Sequence, residues 1–91
     1  MELDILRKKV DECNRKILED LKERFKITRE IGILKNKKNL PVHDPKREEF
    51  ILEKMGEIAK IEELDENMVK DIFKIIMKCV VEENKKIKNK K

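Results

Sequence analysis

The chain has 91 residues, 48% of them charged and 38% hydrophobic, with three Phe and neither Trp nor Tyr. That is one domain with a thin core, and no apolar run approaches the ~20 residues of a membrane span. The net charge of +4 misleads, because residues 85–91 hold five of the 24 basic groups and no acid, leaving 19 bases against 20 acids elsewhere, a net of −1. The folded body is therefore residues 1–84, and KKIKNKK is a Lys-rich tail. A frayed, solvated end accounts for such a run. Nucleic-acid binding is the sharper alternative, but no aromatic residue lies there to stack on bases. MELDILRKK has no signal-peptide core, so the chain reads as soluble and cytoplasmic.

The first element is long. Leu3, Leu6, Val10, Cys13 and Ile17 recur at three-four spacing, and the stripe continues through Asp20 or Leu21, then Arg24, Ile27, Ile31 and Leu34. This predicts one amphipathic helix over about residues 3–37. Gly32 inside it costs about 1 kcal/mol against Ala; close approach of a neighbouring element explains it, and access for a ligand is an alternative. Pro41 and Pro45 bracket the one clear break. Asp44 is a good N-cap and Pro45 a good first residue for a second helix, whose apolar face is Ile51, Leu52, Met55, Ile58 and Ala59. Asp65 caps a third, with Val69, Ile72, Phe73, Ile76 and Val80 on its face. No segment alternates with period two, so the fold class is all-α. Cys13 and Cys79 fall in the apolar patterns at no metal or redox spacing and read as small buried hydrophobes.

Length then constrains assembly. A 35-residue helix is about 52 Å long, whereas a compact chain of this size has a radius of gyration of ~12 Å. Two shorter helices cannot cover the first along its whole length. A second copy is the simplest cover, which predicts an intertwined homodimer built on paired long helices.

Charges on or beside an apolar stripe need neutralising partners. Arg24 and Lys35 are eleven residues apart, ~20° around the helix and roughly 16 Å along it, so both can bracket one small molecule. Arg7 lies about 25 Å before Arg24 and ~100° around; it can join such a site only from a partner subunit. Glu48 shares a strip with Ile51, Leu52 and Met55 and points inward, flanked by Arg47. Each residue has a plainer reading. Asp44 needs no role beyond capping, Arg24 an ion pair, and Lys35, Arg47 and Arg7 solvated charges. The combination is more specific than any member, and it suits a small dianion.

The stretches LRKKVDECNRKILEDLKER (6–24), GILKNKKNLPVHDPKREE (32–49) and LDENMVKDIFKII (64–76) resemble the all-helical chorismate mutase family over about residues 3–84. The resemblance implies an interlocked dimer with composite sites. It also implies conversion of chorismate to prephenate, on the route to phenylalanine and tyrosine. That rearrangement needs no nucleophile, metal or organic cofactor. By resemblance, Arg24 and the partner's Arg7 clamp two carboxylates and Lys35 donates to the ether oxygen. Glu48, with the Asp44 region, accepts the ring hydroxyl, and Arg47 supports the site electrostatically.

Two positions depart from the family pattern. A small hydroxyl and, four residues on, Gln or Glu are usual on the third helix; here they fall on Val80, which cannot hydrogen-bond, and Asn84, one methylene shorter than Gln. Glu83 points about 100° away. A polar residue at a fraying helix end is the plain reading of Asn84. A small helix displacement or a water would let it serve. His43 is expected in solvent with no chemistry. The alternatives are an isochorismate–pyruvate lyase on the same scaffold, a non-catalytic helical module using its basic tail, and a relative that binds without turnover.

Overall fold

Nothing between residues 2 and 37 breaks a helix, and the structure, a computed structural model describing residues 1–89, has a single one there: α1, Glu2–Lys37. α2 is Pro45–Ile61 and α3 is Glu66–Asn89. No strand occurs among the described residues. At 1.5 Å per residue α1 is about 54 Å long, and it sets the longest of the overall dimensions, 56 × 26 × 14 Å. The radius of gyration is accordingly 16.5 Å, well above the ~12 Å of a compact chain this size.

The helix ends are chemically specified. Asp44 Oδ1 accepts from Arg47 N at 3.2 Å with Pro45 in the first turn, and Asp65 Oδ1 accepts from Met68 N at 2.8 Å. α1 and α2 both stop through a left-handed residue, Asn39 (φ 56°) and Glu63 (φ 59°). The amides beyond them close the last turns, Leu40 N on Lys35 O at 2.9 Å and Leu64 N on Ala59 O at 2.8 Å. These are the six-to-one bonds of a Schellman ending. Removing the tighter cap with Asp65→Ala is expected to cost about 1 kcal/mol. The denaturant midpoint measures it, and an unchanged midpoint would mean that Asp65 does not hold the start of α3.

α3 is the central element. It packs against both α1 and α2, which do not pack on each other. Ala59 and Met77 form the buried apolar centre. The inward strip of α3 runs through Val69, Phe73, Ile76, Met77, Val80, Val81 and Asn84, so Ile72, expected on the face, is exposed. Serving two neighbours turns α3 towards Met77. On α2, Gly56 is buried where Lys70 and Glu66 of α3 come close, and Ile58, expected inward, is exposed. Lys70 (3.1 Å) and Lys60 (3.2 Å) flank Glu66 there. Lys70 first, then Lys60, holds the Glu66 carboxyl below the usual carboxylate range. A lowered folded-state value means that this stabilisation is present at neutral pH and lost as pH falls through that value.

α1 is unusual in which face it hides. Residues 1–20 are exposed throughout. Further along, the covered positions are Leu21, Arg24, Phe25, Thr28, Gly32, Lys35 and Asn36. Leu3, Leu6, Val10, Ile17, Ile27, Ile31 and Leu34, the predicted stripe, are all exposed large hydrophobics. Cys13 and Cys79 are likewise exposed, against expectation: Cys13 lies on the part of α1 that no other element reaches, and Cys79 lies off the inward strip of α3. α3 continues to Asn89, so residues 85–89, expected in a frayed tail, are helical; 90–91 lie outside the described residues. No helix among the described residues is long and apolar enough to cross a membrane.

Candidate active site

The covered face of α1, the turn after it, the first turn of α2 and the second half of α3 enclose one cavity of about 160 Å³. Its walls include Arg24 and Lys35 from α1, Asp44 from the turn, Arg47 and Glu48 from α2, and Val80 and Asn84 from α3. These are the predicted site residues except Arg7. Arg7 sits on the exposed first half of α1 and is not part of the wall. The helix rise places it about 25 Å from Arg24 along the axis.

Local chemistry explains the placement. Arg24 and Lys35 share a helix face because eleven residues are close to three full turns. The Asp44 cap and Pro45 start α2 immediately after the turn, so Arg47 and Glu48 fall in its first turn and face back towards α1. Lys35 Nζ donates to the Val42 carbonyl at 3.5 Å, a long bond that leans the ammonium against the turn. The Arg24 guanidinium lies 6.0 Å from the Phe73 ring centre, and that of Arg47 lies 5.2 Å from Phe50. Both distances fall within cation–π range. Burial first, then the positive charge of Arg47, pushes Arg24 below its ordinary range. It stays a cation regardless, so the shift reports first the burial of the guanidinium and only then the second cation beside it.

Two buried polar atoms on this wall have no partner among the described residues: Arg24 Nη1 and Asn84 Oδ1. Unpaired buried groups are costly and uncommon. Three cations face two carboxylates here; an anionic ligand with a hydroxyl matches that inventory.

As its direction predicts, Glu83 takes no part in the cavity wall; its Oε1 lies 3.3 Å from Arg29 Nη1 of α1. His43 is exposed as expected, yet its Nε2 lies 3.2 Å from Glu48 Oε2. Residues not anticipated also line the cavity, including Thr28, Val42, Met77 and Val81. Spacing could have found most of them. Thr28 is one turn after Arg24, and Met77 and Val81 share the face of Asn84 at seven and three residues.

A family model described as chorismate mutase type II matches residues 6–85. The chain belongs to that family. A chorismate mutase of Methanocaldococcus jannaschii is 35% identical over 72 residues, covering 79% of this chain and 73% of the relative. A bifunctional chorismate mutase/prephenate dehydratase of Aquifex aeolicus is 46% identical over 59 residues, 65% of this chain but 16% of its own length. A second bifunctional relative, from Buchnera aphidicola, is 31% identical over 84 residues, 92% of this chain and 22% of the relative. The chain thus spans most of the first mutase and less than a quarter of either bifunctional protein. The stretch matched by the chorismate mutase type II model takes in every wall residue of the cavity.

Proposed function

We propose that the chain rearranges chorismate to prephenate in this cavity. The observation that carries the reading is the meeting of Arg24, Lys35 and Arg47 with Asp44 and Glu48 around one small cavity, in a chain of this family. In the rearrangement an ether C–O bond breaks as a C–C bond forms within one molecule. Atoms and electrons balance without a nucleophile or redox partner. What the protein supplies is a folded conformer of the substrate and stabilisation of charge growing on the ether oxygen.

Arg24 binds one carboxylate. Lys35 and the Asn84 amide donate to the ether oxygen; a carboxamide can present either end, so the unpaired Asn84 side chain suits this. Glu48, beside Asp44, accepts the ring hydroxyl. Arg47 adds positive potential, and Val80 gives an apolar wall. The second carboxylate belongs to Arg7 of the partner subunit, in a homodimer where a second α1 covers the exposed stripe. Support for the dimer is physical: the stripe from Leu3 to Leu34 is exposed in the single chain. Contiguous apolar faces of that extent mark association surfaces.

The decisive assay follows chorismate loss spectrophotometrically and identifies the product, with isochorismate run in parallel. Prephenate formation is expected. Pyruvate release from isochorismate without prephenate would reassign the chain to the lyase, and turnover of neither substrate would leave a binding module. The assembly has its own test. Ile17→Asp places a charge on the exposed stripe, and sedimentation is expected to give monomers with activity reduced at least tenfold. A fully active monomer would remove the composite site.

A further inference from the structure

Gly32 and Asn84 meet where α1 crosses α3. Gly32 is the buried residue of α1, and Asn84 is only 4% exposed. A Cβ built on Gly32 would stand 2.7 Å from Asn84 Cγ, 3.3 Å from Nδ2 and closest of all to Oδ1. Carbons cannot sit that close, so the carboxamide occupies the space a side chain at 32 would need. Asn84 also divides two cavities. It lines the main one, and it lines a small one behind it together with Gly32, Lys35 and Asn36. Its Oδ1 is buried without a partner among the described residues.

We infer that Gly32 is a positioning residue: its missing side chain is the seat of the Asn84 carboxamide and fixes where that amide meets the ligand. Ordinary close packing would not require this. Gly is disfavoured inside a helix, and an apolar contact could be made with Ala and a slightly wider crossing. A short polar side chain has no such latitude. Asn has one methylene between backbone and carboxamide, so its reach depends on how near the α3 backbone comes to α1. Displacements of this order matter when a donor must meet a developing charge. Arg29 and Glu83 pair at 3.3 Å across the two helices beside the crossing. The activity part of the inference rests on the mutase reading above; the structural part does not.

The test is Gly32→Ala made in the unsubstituted chain and in an Asn84→Ala background. With Asn84 present, kcat is expected to fall about tenfold or more with a smaller change in KM. In the Asn84→Ala background, where the space is free, the substitution is expected to change kcat by less than about twofold and to raise the melting temperature. Equal losses in both backgrounds, or no loss with Asn84 present, would overturn the inference.

A second readout needs no turnover. The chain has six Asn and no Gln, so its side-chain amide NMR spectrum is sparse, and the Asn84 signal is identified by its disappearance in Asn84→Ala. That signal is expected to shift in Gly32→Ala. An Asn84 amide indifferent to residue 32 sinks the positioning role whatever the assay gives. A displaced amide in a chain that never turns over chorismate supports the seat and overturns the functional reading alone.

Discussion

Lys35→Ala is expected to lower kcat for chorismate by on the order of 10² or more, the usual effect of removing a donor aimed at developing negative charge. The Lys35 side chain is half-buried on the cavity wall, and its ammonium leans on the Val42 carbonyl at 3.5 Å. A bond that long is easily given up when a better acceptor enters. Lys35→Met keeps most of the volume and removes the charge, so a similar loss in both variants would assign the effect to charge rather than packing. KM is expected to change less than kcat, since the ether oxygen gains charge only as the bond breaks. Turnover near that of the unsubstituted chain would take Lys35 out of this role.

A mixing experiment has the other large effect. Arg7→Ala and Lys35→Ala chains are each expected to be nearly inactive alone. Dissociated, mixed in equal amounts and reassociated, they are expected to recover about a quarter of full activity, because half of randomly paired dimers are mixed and one site of each mixed dimer is intact. The intact site combines Arg7 of one chain with Lys35 of the other. The prediction follows from reach: about 25 Å of helix separates Arg7 from Arg24 within one chain. No recovery, with mixed dimers present by mass spectrometry, would mean that each site takes both residues from one chain, and an active Arg7→Ala chain would leave Arg7 outside it.

Much of this molecule was legible in its residues. The α1 span, the Asp44 and Asp65 caps and the break between Pro41 and Pro45 follow from local rules, because helix periodicity and capping are properties of neighbours in sequence. The grouping of Arg24, Lys35, Arg47 and Glu48 was legible for the same reason: all four sit within a turn or two of a helix end or share one helix face. The errors have a common origin. Ile72, Ile58, Cys13 and Cys79 were read as inward because apolar spacing marks a face but not what covers it. Which face α3 turns inward is decided by α1 and α2 together, and that is a tertiary matter.

The sequence by itself determined three helices, their ends, and an apolar stripe on the first with charges on or beside it. Only the tertiary structure decided that α3 covers the side of α1 carrying Arg24, Phe25, Thr28, Gly32 and Lys35 and leaves Ile27, Ile31 and Leu34 exposed. It alone brought the Asn84 amide against the bare backbone of Gly32. The physical reason is range. Periodicity and caps act over about four residues, whereas the fit of one side chain into the space another lacks depends on how closely two helices distant in sequence cross.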